Sequence, residues 1–526
     1  MTKKSLLLPF AGILLAACVT RQAVLPPLAA KEVPRPPAPP FKLEEKMAEA
    51  EALFDKGGYV HLRGAFSLYL EIEKLAPDKS RFAANYAMTA LLLAVRAKEM
   101  GVRNDAYLAK ARELVRNDAA LTALTPAAEI VSLIPVRTLG VWNDGQDGEA
   151  VPEKRGPVPE LLAADRMARP AAGPFLAYLH AVLREQDGRN DAAKADLDEA
   201  LKSFPDSLLL KFKRATLPPP DARLLDRIIE KEPEFFEAFL VQGQSALAGG
   251  ALITAERHLL RAQEGVPESP LIAILLASIN FGTEEYDRSL TFYEKTLDIA
   301  PDYKEALLGK AICLSCLGRP NEAILILEDL LARGPALKGE CLFWLAANLH
   351  ELGNNERAAC EIEKAKKALD VARVFTLAGT IALKRGLLDA AEKDLKTAVG
   401  LDSGESEAFF ELGKLYAQRS IWTDSALNFM FAGYAFDNEE KKIQMKIGQV
   451  EESAMPEERK GRLLARKKFQ LEKTRLTKAT ASFNAAAGYY NAGAPEKALT
   501  WVRNAAAHPY FAEKAKDFIS LITTGK

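Results

Sequence analysis

A period of 34 residues runs through the middle of this chain and constrains its fold more than any other feature. Blocks that begin at Phe236, Pro270 and Lys304 align without a gap, and each carries small and large apolar residues at the same places. Apolar residues recur at helical intervals within a block, and a break such as Gly249-Gly250 divides it in two. Each block is therefore predicted to form two antiparallel helices. Because one such pair cannot bury its own apolar face, the pairs must stack.

The spacing within a block suits two helices that cross closely. Gly243 and Ala255 are small where the helices would meet, and Leu259 fills the space beside them. Each of the three blocks ends at a proline, which lacks the N–H that a continuing helix would need: Pro267, Pro301 and Pro335. These residues resemble the tetratricopeptide repeat, whose pattern is W-x2-L-G-x2-Y, then A-x3-F, then P.

The resemblance covers most of the chain, in roughly eight or nine units. Its best single match is Leu412-Gly413 with Tyr416, whereas the unit between Asp206 and Pro233 is shortened. The resemblance implies an all-α fold, a right-handed α-solenoid of stacked helical hairpins. The first helices of successive units would then line a concave groove, which in this family holds an extended or helical peptide.

The chain divides on this basis into segments of different character. Prolines crowd the stretch after residue 18, which favours an extended spacer of ~3.1 Å per residue. The predicted segments are a signal peptide with a lipobox (1–18), a Pro-rich tether (19–42), N-terminal helical units similar to the repeat (43–136), an irregular loop (137–170), the main array (171–437), a charged and then basic helical segment (438–480) and a C-terminal unit (481–526).

Residues 1–18 have the features of a processed N-terminal segment. Lys3-Lys4 precede an apolar run of about a dozen residues, too short for a membrane-spanning helix, which needs ~20. The run ends in Leu-Ala-Ala-Cys, which resembles a bacterial lipobox and implies that Cys18 carries a lipid anchor with three acyl chains. Val19 follows where an aspartate would often mark retention at the inner membrane, so we expect the periplasmic face of the outer membrane. An ordinary secretory signal is the alternative.

Composition gives little support for nucleic-acid binding or catalysis. The chain has 70 Lys plus Arg against 71 Asp plus Glu, a balance that provides no general attraction to nucleic acid. Its five histidines stand in different units and in no metal or nucleophile motif. The segment from Asn143 to Glu149 fails as a calcium loop because Gly145 stands where a ligand is needed. We therefore predict no enzyme, no cofactor, no bound metal and no nucleic-acid partner.

Four cysteines lie in the array, and two of them have a C-x2-C spacing. Metal and redox pairs of this kind usually sit on turns or at a helix start, whereas Cys313 and Cys316 fall within a predicted first helix. Cys341 and Cys360 belong to the two helices of the next unit. Packing as small apolar residues is predicted for all four, with a disulfide as the alternative in an oxidising compartment.

A basic amphipathic helix is predicted from Arg459 to Lys478. Leucines and Phe469 alternate there with many lysines and arginines. A helix of this kind can bind an anionic lipid surface or an acidic partner. A solvated face, offset by the glutamates that precede it, is the other interpretation, and the sequence leaves the two open.

The concave groove is the candidate binding site. An exposed apolar groove would mark a partner site, although long loops or flanking helices can fill it instead. The Lys and Asn clamp by which some family members grip a C-terminal carboxylate is absent. The repeat register places ten residues on the inner face: Leu240, Gln244, Leu247, Leu271, Ile274, Phe281, Leu308, Phe343, His350 and Phe410.

These features predict a lipid-anchored periplasmic scaffold that binds protein partners of an envelope assembly or export machine. Cys18 would attach it to the membrane. A solute-binding lipoprotein component of a transporter is an alternative, which an enclosed polar cavity would favour. A cell-wall enzyme with its site between Thr138 and Pro170 is another, which a carboxylate of strongly raised pKa in a cleft there would favour.

Overall fold

The computed structural model describes residues 40–76, 81–134, 136, 173–335, 337–453 and 455–524, and in these residues all regular structure is helical. The predicted lipobox, most of the tether and the loop 137–170 lie outside the described residues. The α-helices are α1 (Pro40–Lys56), α2 (Tyr59–Leu75), α3 (Ala83–Glu99), α4 (Ala106–Asn117), α5 (Thr125–Leu133), α6 (Pro174–Gln186), α7 (Asn190–Ser203), α8 (Leu208–Thr216), α9 (Ala222–Lys231), α10 (Phe236–Ala248), α11 (Leu252–Gly265), α12 (Pro270–Gly282), α13 (Tyr286–Ile299), α14 (Lys304–Cys316), α15 (Pro320–Ala332), α16 (Lys338–Glu351), α17 (Asn355–Ala368), α18 (Ala372–Lys384), α19 (Leu388–Leu401), α20 (Ser406–Gln418), α21 (Trp422–Glu452), α22 (Glu457–Asn491), α23 (Pro495–Ala506) and α24 (Ala512–Thr524).

Antiparallel hairpins form a right-handed α-solenoid, as predicted. The array consists of α6–α7, α8–α9, α10–α11, α12–α13, α14–α15, α16–α17, α18–α19 and α20–α21, and each hairpin packs on the next. The shortened unit is α8–α9, where three prolines separate helices of 9 and 10 residues. Among the described helices, none combines the length and apolar character that a bilayer-spanning segment needs.

Small residues allow the two helices of a hairpin to approach closely, as the spacing predicted. A Cβ added at Gly243 would lie 2.7 Å from Cγ of Leu259, closer than atoms in contact can be. The same relation recurs in α18–α19, where a Cβ at Gly379 would lie 2.5 Å from Cγ of Leu395. Ala255 is fully buried at the first of these crossings. Both hairpins therefore need a small residue at this place in the first helix.

The turn between the two helices of a hairpin uses a left-handed backbone conformation. The residue two places after the first helix ends is usually glycine, with φ between 72° and 79° at Gly188, Gly250, Gly318, Gly353 and Gly386. Glycine has no Cβ to oppose this conformation. Two hairpins of the array use larger residues at the same position, Glu284 (φ 63°) and Ser420 (φ 59°).

Two predicted boundaries fall inside helices and are wrong. The main array was expected to end at residue 437, yet α21 runs on for 31 residues to Glu452. The C-terminal unit was expected to begin at 481, yet α22 runs for 35 residues from Glu457. No proline or glycine pair interrupts either helix near these points, and buried Phe436 and Ile443 extend the apolar face of α21 past the usual repeat length. We call residues 438–478 of this antiparallel pair the arm.

The N-terminal units, predicted to be helical, contain α1 to α5. The tether prediction is too long at its end, because α1 already begins at Pro40. Proline is tolerated at a helix start, where its missing N–H has no partner to lose. A proline-rich sequence therefore does not by itself show where an extended segment ends.

We predict that Gly379→Val destabilises the array. Its branched side chain would overlap Leu395, and overpacking of this kind costs about 1–3 kcal/mol. The midpoint of thermal unfolding, followed by circular dichroism, should fall. Gly400→Val is the matched control, since Gly400 lies on the exposed side of α19 with open space around it. An equal effect of the two substitutions would contradict the close crossing.

Candidate functional site

The structure divides the ten predicted groove residues into two groups. Leu240, Leu271, Ile274 and Leu308 are at most 2% exposed, and Phe343 is also buried. These five belong to the hydrophobic core, so at these positions the inner face is filled rather than open. The repeat register identifies the inner face of a helix, but it does not show what else packs there. The other five are partly exposed: Gln244, Leu247, Phe281, His350 and Phe410.

Helix α3 covers the beginning of the inner face. Seven consecutive residues, 91–97, are buried on every side of this helix, which is expected only for a helix enclosed by other elements. Its C-terminal end contacts the first helices of successive hairpins. Arg96 donates to Tyr178 of α6 at 2.9 Å and pairs with Glu237 of α10. The backbone carbonyl of Met100, just after α3, accepts from Ser269, the N-cap of α12.

A buried network of charges holds α3 in this position. Lys213 of α8 lies 2.9 Å from Glu99 of α3 and 2.6 Å from Glu185 of α6. Burial alone would raise the pKa of Glu99, but the charges of Lys213 and Arg96 outweigh it and lower this pKa to about 2. The guanidinium carbon of Arg96 also lies 4.3 Å from the ring centre of Phe212. The network therefore fixes α3 in one place, because a charge left without its partner here would be strongly destabilising.

The tip of the arm covers a second part of the array. Arg459 donates from Nε to Glu285 at 2.8 Å and pairs through its guanidinium with Glu256. Lys467, two turns further along α22, pairs with Glu284. Arg459, Leu463, Lys467 and Leu471 form one buried stripe with a spacing of four residues. The arm therefore docks by alternating charged and apolar side chains on the α11–α13 region.

Glu284 stands at a turn position where five other hairpins of the array have glycine. A bulky residue with φ of 63° is strained, and strain of this kind persists only where other contacts maintain it. The Glu284 carboxylate pairs with Lys467 of the arm. Glutamate at this turn position thus provides an acidic contact for the arm, in a backbone conformation that favours glycine.

The inner face of the basic segment binds acidic groups of the chain itself, whereas its outer face is exposed. Arg459 and Lys467 bind acidic side chains of the chain's own array, and Lys478 lies 2.6 Å from Asp437 and 2.9 Å from Glu440 in α21. The outer face of the segment is solvated. Phe469 is 75% exposed there, and Arg462 pairs only with Glu458 of the same helix in the described contacts. The acidic partner of this helix is therefore, in part, the array itself.

The four array cysteines are free, and only two are packed as predicted. Cys313 and Cys341 are buried, and burial raises the pKa of each thiol to about 12. Cys316 and Cys360 are exposed, so the packing prediction is wrong for these two. Cys313 and Cys316 lie less than one turn apart in α14, and they differ in burial because Cys316 is the last residue of the helix, beside the turn that follows.

Three side chains that the sequence does not connect lie together at the junction of the N-terminal units and the array. His61 of α2 faces Glu232 and Glu234, which lie between α9 and α10. Within the described residues, these three side chains form the group whose potential ligand atoms lie close enough together, within 4.8 Å of one another, to hold a metal ion. Sequence reasoning missed it because no motif links residues so far apart in the chain.

A cavity of about 500 Å³ lies between α17, α18 and α19. Its lining mixes apolar residues such as Ile362 and Ile381 with charged residues such as Lys367, Arg385 and Asp394. It lies between helices of neighbouring hairpins rather than in the predicted groove. This cavity is therefore not the enclosed pore that a solute-binding array would need.

The fold and these surfaces define an α-solenoid repeat protein, a class that generally serves as a scaffold for protein–protein interaction rather than as a catalyst. The family of the repeat follows from two matches. Residues 281–338 and 376–429 each match a model of the tetratricopeptide repeat. The chain therefore contains tetratricopeptide repeats.

Similar proteins have been found by sequence and by structure. The human protein O-mannosyl-transferase TMTC1 is 24% identical over 143 residues, which are 26% of this chain and 16% of that protein's length. The solved structure of YrrB, a tetratricopeptide-repeat protein with an unusual peptide-binding site, is 21% identical and covers 34% of this chain and 91% of its own, with a TM-score of 0.28. The Cut9–Hcn1 hetero-tetramer of APC/C is 14% identical and covers 92% of this chain and 96% of its own, with a TM-score of 0.31.

We predict that Arg459→Glu releases the tip of the arm. The new carboxylate would face Glu256 and Glu285, and loss of one partner from a buried ion pair costs about 3–5 kcal/mol. Hydrogen–deuterium exchange should therefore become faster in the first half of α22, while residues 481–491 keep their protection.

Arg462→Glu is the matched control for this experiment. Arg462 lies one turn from Arg459 in the same helix, but its side chain is exposed and pairs with Glu458 of α22. Its substitution should change the opening free energy by no more than about 0.5 kcal/mol. Equal exchange in the two variants would show that the arm does not dock through Arg459.

Proposed function

We propose that this protein is a lipid-anchored periplasmic scaffold that holds a protein partner of an envelope assembly or export machine. The observation that carries the proposal is the stacked array, whose first helices lie side by side and offer a partner the part of their inner face that α3 does not cover. The Leu-Ala-Ala-Cys sequence that ends at Cys18 supports an anchor at the periplasmic face of the outer membrane. The Pro-rich stretch of some twenty residues after it would hold the array up to ~60 Å from the bilayer.

The part of the inner face between the regions covered by α3 and by α21 is the proposed binding surface. α3 contacts the face at α6 to α12, and α21 covers Phe410 of α20 through Phe429 and Phe436. Between them, His350 of α16 and Leu383 of α18 keep contact with solvent. An extended or helical segment that combines apolar and polar side chains would suit this surface.

Charged groups beside this surface would orient the partner. Arg373 of α18 lies with its guanidinium carbon 5.0 Å from the ring centre of Phe343 and pairs with Glu340 of α16. A partner carboxylate that reached Arg373 would compete with Glu340 for it. The surface therefore favours a segment with an acidic residue near an apolar one.

Substitution of Cys18 tests the anchor. We expect Cys18→Ser to move most of the protein from the membrane fraction to the soluble fraction, because the acyl chains that hold it would be lost. Fractionation of cells followed by immunoblotting measures this. Cys360→Ser is the control, since Cys360 is an exposed free cysteine elsewhere in the chain and its loss should leave the distribution unchanged. Unchanged sedimentation of Cys18→Ser with membranes would count against the anchor.

Crosslinking in cells tests the binding surface. A photoreactive amino acid at His350 or Leu383 should capture one envelope-machine protein, identified by mass spectrometry. The control position is Leu325 on α15, a 67% exposed residue of a second helix, which should capture none. Capture of the same proteins from all three positions, or of none from the first two, would refute the proposed surface.

A further inference from the structure

His61 occupies an unusual place for an imidazole. It is 3% exposed, and neither of its ring nitrogens has a hydrogen-bond partner in the described structure. A polar group buried without a partner costs roughly 1–3 kcal/mol, so its persistence needs an explanation. Gly58 allows the ring to lie close to the backbone, because a Cβ there would stand 2.9 Å from Nδ1 of His61.

The Nε2 atom of His61 points between two carboxylates. It lies 3.5 Å from Oε1 of Glu232 and 3.4 Å from Oε2 of Glu234. These separations are long for hydrogen bonds but close to the edge of a tetrahedron, which is roughly 3.3 Å when a central zinc ion makes bonds of 2.0–2.1 Å. The second oxygen of Glu232 forms an ion pair with Lys56 at 3.1 Å, and Oε1 faces the imidazole.

We propose that His61, Glu232 and Glu234 form a site for a divalent transition metal, with zinc as the best match. One imidazole nitrogen and two carboxylate oxygens are ligands that zinc takes readily, and a fourth position would remain for water or another small ligand. Glu234 is 61% exposed in its side chain, so an ion can reach the site from solvent. This inference does not depend on the proposed lipid anchor or on any partner.

The site would join two parts of the chain. His61 lies in α2, whereas Glu232 and Glu234 lie between α9 and α10 of the array. The backbone N–H of Tyr59 already donates to Glu237 of α10 at 2.6 Å, so α2 meets the array at this point. A bound ion would clamp the N-terminal units against the array, and with them α3, which covers the inner face.

Zinc titration of the purified, tag-free full chain tests the site. After dialysis against a chelator, the chain should take up one zinc ion in competition with a chromophoric chelator, and zinc should raise its melting temperature. Cobalt in place of zinc should give the visible absorption of a tetrahedral nitrogen–oxygen site. His61→Gln and Glu234→Gln should each weaken binding at least ~10-fold, whereas His258→Gln, a partly exposed histidine of α11, should leave it unchanged.

Glu234→Gln keeps the test decisive if His61→Gln impairs folding. Glu234 is largely exposed, so its amide should leave the metal-free melting temperature as in the parent while removing the rise with zinc. Absence of saturable zinc binding in the parent would overturn the proposal. Equal zinc binding in both variants would also overturn it, because the ion would then sit elsewhere, for example at the exposed cysteines.

Discussion

No hairpin in this chain can bury its own apolar face, and the rest of the structure follows from that constraint. Each pair of helices packs on its neighbours, and the small residues at Gly243 and Gly379 bring the helices of a pair close enough to exclude water. Stacking buries the two sides of each hairpin that face its neighbours, but it does not cover the inner face of the array. The chain covers the beginning of that face with its own helix α3, whereas the arm docks on α11 and on the turn between α12 and α13.

Different contacts hold α3 and the arm on the array. The pair of Arg96 and Glu237 is almost wholly enclosed, and aromatic rings surround the guanidinium. An ion pair so enclosed is costly to break, since removal of one partner leaves a buried charge. The arm also docks through ion pairs, but one of them depends on Glu284 in a strained conformation. α3 is therefore the more completely enclosed of the two elements.

The period of 34 residues was sufficient to predict the hairpins, their close crossings and the solenoid, because those features depend on residues near in sequence. It was not sufficient to predict which positions of the inner face are buried. Leu271 and Ile274 lie on the predicted face of α12 yet are buried. The contacts that dock α3 and the arm on the array join residues 141 apart, as in Arg96 and Glu237, or 174 apart, as in Arg459 and Glu285. No local pattern encodes them, although the uninterrupted apolar run in α3 indicated a helix enclosed on all sides.

The docked arm sets a threshold for any partner that would bind the surface of α11 and the α12–α13 turn. The arm is joined covalently to the array, so it competes at an effective concentration of the order of mM for flexible connections, and higher where the connection is rigid. The apparent affinity of a competing segment equals its intrinsic affinity multiplied by the fraction of molecules in which the arm is open. Weak apolar contact alone would not overcome this competition. A segment that also supplied a carboxylate to Arg459 or Lys467 would replace the ion pairs it breaks, and the array would thereby select partners by charge as well as by shape.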